Sequence, residues 1–172
     1  MTGICEMLRG GDLRSIGRSE EVVQAVLENP FLFGEVVSEM VNDDPVIRMR
    51  ASDAVEKITI KRPDLLAPFK DFILTKVSAI EQKEVRWHVA QILPRLDLTN
   101  NEVKDATEIL KSYLDDESNI VRVFTIDALA HFVEISPEMH PWVLAMIEDM
   151  VEDGSPSIKS RGKKLLTRLK KH

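Results

Sequence analysis

The chain has 172 residues, 44% hydrophobic, 30% charged and only 5% aromatic, with a net charge of −6. That balance suits one water-soluble domain with a sizeable core, and the scarcity of aromatics favours helices packed on helices over a β-sandwich or barrel. No run of 18 apolar residues is present to span a membrane, and one cysteine, Cys5, makes neither a disulfide nor a zinc site by itself.

The N-terminal residues Met1 to Gly11 lack a basic stretch followed by a long apolar run, so a secretory leader is not expected. Residues 1–29 should contain a helix from Glu20 to Glu28 behind a Ser19 cap, forming a short helical cap on the first repeat. Four helix pairs are then expected, at about 30–60, 63–96, 99–135 and 137–171. In the first, Val36, Val37, Met40 and Val41 form an apolar stripe. The turn Asn42-Asp43-Asp44 then leads to Pro45, where a proline in the first turn of a helix loses no hydrogen bond. In the second, the stripe Leu65, Phe69, Phe72, Ile73, Val77 and Ile80 predicts one continuous first helix, with Lys76 as its polar member. Thr99 and Glu102 have the spacing of a capping box before the stripe Val103, Ala106, Ile109, Leu110, Tyr113 and Leu114. Ser136-Pro137 opens the fourth pair, whose first helix carries Val143, Met146, Ile147, Met150 and Val151. Ser155-Pro156 opens the last helix. From Ser157 onward come seven basic residues and no acidic one, so an acidic body ends in a basic helix.

The second helices align with one another. Arg48, Arg86, Arg122 and Lys159 recur at intervals of 38, 36 and 37 residues, each after a β-branched residue. Three residues after each base come Ala51, Val89, Thr125 and Gly162. Seven after come Val55, Leu93, Leu129 and Leu166. These offsets trace one helix face, and the mostly small residues at offset three imply close approach to a neighbouring helix.

A repeat of this period, with Asp-Pro-Val-Ile-Arg-Met-Arg-Ala-Ser-Asp-Ala at residues 44–54, resembles the HEAT repeat of the phycobilin-lyase type, and the chain is similar to small stand-alone bacterial HEAT-repeat proteins. The resemblance covers about residues 30–171. It implies an all-α, right-handed α-solenoid of about four helix pairs, residues 1–172 forming a single repeat domain. The signatures of tetratricopeptide and ankyrin repeats are absent. The second turn, Glu81-Gln82-Lys83-Glu84, departs from the pattern in having no Asp-Pro.

Two polar features stand out. The ladder Arg48, Arg86, Arg122 and Lys159 reads as structural, its bases bonding acidic turn residues such as Asp44, Asp116 and Asp153 of neighbouring repeats; an anion-binding row is the alternative. A second strip, at offsets 2, 5 and 9, comprises Arg50, Asp53 and Lys57, then His88, Gln91 and Arg95, then Phe124, Asp127 and His131, then Arg161, Lys164 and Arg168. By resemblance this strip lines the concave surface, so Arg50, Asp53, His88, Gln91, Arg95, Phe124, Asp127, His131 and Arg161 are the candidate partner-binding residues. The alternative is an ordinary solvated face. The strip has six bases and two acids, which favours an acidic protein or peptide partner. Trp87 reads as inter-repeat packing, and Trp142 has no clear place.

No catalytic motif appears: no Walker loop, no dinucleotide fingerprint and no nucleophile elbow. His131 and Glu134 could share a helix face, but two ligands are too few for a metal, so neither metal nor cofactor is expected. The functional expectations are a non-enzymatic protein-interaction scaffold, a reducing cytoplasm as its compartment, no membrane partner, and no oligomeric state legible in the sequence. The competing reading is a nucleic-acid-binding HEAT-like protein using the basic strip; the acidic body weighs against it.

Overall fold

The computed structural model describes residues 3–171, and among them every regular element is helical, with no strand. In chain order the α-helices are α1 (Ile4–Leu8), α2 (Ser19–Glu28), α3 (Phe33–Glu39), α4 (Pro45–Lys61), α5 (Lys70–Phe72), α6 (Lys83–Ile92), α7 (Asn100–Tyr113), α8 (Asn119–Ile135), α9 (His140–Asp153) and α10 (Pro156–Leu169). Their starts reflect local chemistry. The Asp44 carboxylate accepts from the Val46 N–H at 2.8 Å, with Pro45 in the first turn of α4. Thr99 and Glu102 form both bonds of a capping box on α7. The Ser155 hydroxyl accepts from the Ile158 N–H on α10.

Two expectations change. Ser19 does not cap α2 but is its first residue; Arg18 occupies the capping position, and the buried Ser19 hydroxyl donates to Asp53 instead. The first helix of the second pair is not one α-helix. A 3-10 segment (Pro63–Phe69) passes into the single turn α5 and then into a π turn (Ile73–Val77), where the Ser78 N–H reaches the Ile73 carbonyl five residues back. Pro68 lies inside the 3-10 segment, and a proline there removes an amide donor and crowds the preceding turn. The stripe expected along this segment is accordingly broken: Ile73 and Val77 are fully buried, as is Leu66, while Leu65, Phe69, Phe72 and Ile80 are only half-buried.

The chain divides after Asp97 into two compact units. In the first, α2 and α3 pack against α4, and α4 packs against α6, while α1 touches α2, α3 and α4. Val22, Val26, Val36, Ile47, Val55, Ile58 and Val89 form its interior. In the second, α7 packs on α8, α9 on α10, and α10 also on α8, around Leu110, Leu129, Phe132, Ile147 and Leu165. Burial of one such side chain contributes about 2 kcal/mol. The small residues at offset three are all buried. Gly162 shows why: a Cβ there would stand 2.4 Å from a methyl of Val151 on α9.

Candidate functional site

The strip of candidate residues is best built helix by helix, beginning with the first unit. Arg50 on α4 is the largest departure from expectation. It is 2% exposed, and its guanidinium donates from Nη1 to the carbonyls of Leu8 (2.9 Å) and Arg9 (3.1 Å) and from Nε to that of Ser15 (3.0 Å). A buried cation needs acceptors, and the turn after α1 supplies them. That turn closes on the guanidinium through glycines with positive φ: a Cβ on Gly17 (φ +55) would sit 2.6 Å from Arg50 Cζ, and one on Gly11 (φ +77) 2.9 Å from Nη2. Arg50 therefore faces the N-terminal segment and is not part of an open strip.

Asp53, one turn along α4, accepts from Ser19 Oγ at 2.8 Å and lies 3.0 Å from Lys57 Nζ, which also reaches Glu20 at 2.5 Å. His88 on α6 is buried. Its Nδ1–H donates to the Glu84 carbonyl at 2.6 Å, and its Nε2 accepts from the Trp87 indole N–H at 3.1 Å. These two bonds define the neutral tautomer. Burial lowers the His88 pKa, opposed by the Glu84 carbonyl and by Asp53 and Glu56. Asp53 Oδ1 stands 3.8 Å from Nε2. Ser19, Asp53 and His88 do not form a nucleophilic triad, because the carboxylate, not the imidazole, sits next to the hydroxyl. Gln91 is tied to the Trp87 carbonyl at 3.2 Å. Arg95 donates to the Glu56 carbonyl (2.7 Å), Thr59 Oγ1 (3.0 Å) and the Glu56 carboxylate (2.5 Å).

In the second unit, Arg161 of α10 holds Asp127 of α8 with both Nε (2.7 Å) and Nη2. His131 lies 4.0 Å from Glu134, which is as far from Arg168. Phe124, one turn before Asp127, is half-buried.

The electrostatic expectation is corrected by these bonds. Arg50, Lys57, Arg95, Arg161 and Arg168 all have carboxylate or carbonyl neighbours, so the strip is not an open positive field. The missed partners are Glu56 and Glu134, just off the strip in sequence register, and Glu20 on α2, 37 residues before Lys57; a count along one stripe finds none of them.

The ladder is also partly revised. Arg48 bonds the Asn42 (2.8 Å) and Asp43 (3.2 Å) carbonyls and Gln82 Oε1 (2.9 Å), and Gln82 in turn donates to the Pro45 carbonyl at 2.9 Å. Asp44 is occupied as the α4 cap. Gln82 thus joins one turn to the next by two bonds, which accounts for a second turn that lacks Asp-Pro. Arg122 donates from Nη2 to Asn119 in its own first turn, and its Nε is buried without a hydrogen-bond partner. Arg86 and Lys159 are half-buried.

One surface was not anticipated. A groove of about 490 Å³ lies between the end of α7, the start of α8 and α9, lined by Leu114, Asp115, Arg122, Trp142, Ala145, Met146, Asp149 and Met150. Trp142 is 38% exposed, and Lys111 Nζ sits 5.0 Å from its ring centroid. The spacing Trp142, Met146, Asp149/Met150 is the one sign of this groove in the sequence. Apolar periodicity assigns both methionines to the core, but they are only half-buried.

Among the described residues, no three His, Cys, Asp or Glu side chains are grouped to hold a metal, and Cys5 is a half-buried free thiol. Among these residues no helix is long and apolar enough to cross a membrane. No protein-family model matches the chain, and neither a curated protein nor a solved structure matches it significantly.

Proposed function

We propose that the chain is a non-enzymatic protein-interaction scaffold of HEAT-like helix pairs that holds a protein or peptide on the faces of its second helices, α4 and α6 in the first unit and α8 and α10 in the second. The observation that supports this reading is a set of lateral ties between packed helices within each unit. Ser19 bonds Asp53, Glu56 bonds Arg95 and Asp127 bonds Arg161, across 34, 39 and 34 residues. Side chains that pair at that interval lie side by side along a stack, and stacked pairs present an extended, rigid surface for a partner. The residues offered to a partner are Gln91 and Arg95 in the first unit and Phe124, Asp127, His131 and Arg161 in the second; Arg50 is buried and fixes the N-terminal segment. An acidic partner would have to displace Glu56 from Arg95 and Asp127 from Arg161, so shape and apolar contact at Phe124 carry more of the recognition than net charge. A single free cysteine suits a reducing cytoplasm.

The test is a double substitution, Phe124→Glu with His131→Glu, on the α8 face. The tagged chain is used to capture proteins from the native extract. Loss of specific partners at an unchanged melting temperature supports the reading. Retention of the same partners sinks it, as does tight, salt-sensitive binding of a generic labelled DNA duplex, which would favour the nucleic-acid alternative.

A further inference from the structure

His88 sits where a polar cluster joins α2, α4 and α6 of the first unit. It is 7% exposed, and both ring nitrogens are occupied: Nδ1–H donates to the Glu84 carbonyl at 2.6 Å, and Nε2 accepts from the Trp87 indole N–H at 3.1 Å. The second bond exists only while the ring is neutral, because an imidazolium has two donors and no acceptor. Asp53 is placed for the other state. Its Oδ2 takes both of its donors, Ser19 Oγ at 2.8 Å and Lys57 Nζ at 3.0 Å. Its Oδ1 accepts no hydrogen bond among the described residues and faces His88 Nε2 at 3.8 Å. The charges agree with this placement. Around the ring, α4 brings Asp53, Glu56 and Lys57, α2 brings Glu20 onto Lys57, and α6 itself brings the Glu84 carbonyl; Lys76 of the π turn is exposed. Glu56 is matched by Arg95 at 2.5 Å. Lys57 alone serves both Asp53 and Glu20. The cluster therefore lacks one positive charge, and a protonated His88 supplies it.

We propose that Trp87, His88 and Asp53 form a proton-operated switch in which His88 Nε2 exchanges the Trp87 indole for the Asp53 carboxylate. With the ring neutral, Nε2 holds the indole N–H. When Nε2 takes a proton from solvent, two N–H groups oppose each other and that bond breaks. The imidazolium then needs a second acceptor, since a buried charge without one is costly. Asp53 Oδ1 stands about 1 Å beyond the length of a charge-assisted hydrogen bond, so a small ring movement closes it. In the protonated state an ion pair ties α6 to α4, and the indole N–H of Trp87, a half-buried residue, turns to water. Burial lowers the His88 pKa, opposed by the Glu84 carbonyl, Asp53 and Glu56. The exchange accordingly falls on the acid side of the ordinary value of 6.5.

The experiment follows Trp87 emission as pH is lowered from about 8 to about 5. It uses a Trp142→Phe chain, in which Trp87 is the one remaining tryptophan, with far-ultraviolet dichroism on the same samples. Nitrogen-15 spectra of the wild-type chain follow the Trp87 indole N–H and the two His88 ring nitrogens. The emission and the indole resonance should shift together in one reversible step below pH 6.5, at constant helix content, while His88 passes from one protonated ring nitrogen to two. His88→Gln should abolish the step. Asp53→Asn should lower its midpoint by about one pH unit, because it removes the opposite charge that favours the imidazolium. Trp87 signals that stay still across the range overturn the proposal, whether or not His88 titrates. So does a step that survives in His88→Gln, a midpoint that does not fall in Asp53→Asn, or a loss of helix at the same pH, since acid would then be unfolding the chain. Should His88→Gln fold poorly, the wild-type ring nitrogens and the Asp53→Asn midpoint decide the matter.

Discussion

Replacing Arg50 with methionine keeps an unbranched side chain of similar length in α4 and removes the three hydrogen bonds to Leu8, Arg9 and Ser15. Bonds from a charged donor contribute ~1.5–3 kcal/mol each when both groups stay out of water. Arg9 and Ser15 are exposed, so their carbonyls regain water once released; Leu8 is fully buried, and its carbonyl does not without local unfolding. Methionine also removes the cost of burying a guanidinium. The net loss should be about 2 kcal/mol, a large part of an ordinary folding free energy, and the N-terminal segment should detach ~30-fold more often. Urea titration reports the first quantity. Limited trypsin digestion reports the second, since Arg9, Arg14 and Arg18 are exposed cleavage sites within that segment. Arg50→Lys should restore little, because one ammonium cannot serve acceptors that diverge from Nε and Nη1. An unchanged urea midpoint together with unchanged cleavage rates would refute the assignment of Arg50 as the anchor.

Gly17→Ala should cost ~1–2 kcal/mol, from the positive φ and from the approach of the new Cβ to the guanidinium, and part of that cost should vanish in an Arg50→Met background; strict additivity in the double-mutant cycle would count against the contact. Burial holds the His88 pKa below its ordinary value of 6.5, so the unfolded chain binds a proton that the folded one resists. Stability is therefore full above that value and falls as pH drops through it towards the folded pKa. Urea midpoints at neutral and mildly acidic pH should fall less in His88→Gln than in wild type, and an equal or larger fall in the variant would remove His88 as the cause. Ala128→Asp places a carboxylate at a 2% exposed position of α8 and should cost several kcal/mol; a melting temperature equal to wild type would show that the α8 register is wrong.

What the sequence made legible was local or periodic. Asp44, Thr99 and Ser155 act on amides two or three residues away, so their capping roles are visible in a window of four. The residues at offset three are all buried, and Gly162 against Val151 shows a close helix approach there. Arg50 was illegible because its acceptors lie 35 to 42 residues upstream in a loop. The only trace of them is glycine at 10, 11 and 17. The pairing along the strip was hidden for a similar reason: Glu56 belongs to the same helix as Asp53 but bonds Arg95, 39 residues on. The break between Pro63 and Val77 was marked by prolines, yet apolar periodicity outweighed them, because the stripe tolerates changes of winding that the hydrogen bonds do not.

That segment bears on how a repeat changes length. The interval from Arg48 to Arg86 is 38 residues, against 36 and 37 for the next two, and it is the interval that contains the π turn. A π turn closes its ring over five residues where an α turn uses four, and the Ser78 to Ile73 bond is such a closure. The π turn takes up more residues per turn than an α-helix, while the 3-10 segment before it, Pro63–Phe69, takes up fewer. Ile73 and Val77, the two ends of the π turn, both stay buried in the core. The place to look for one gained or lost residue between variants of this chain is the winding of residues 73–77.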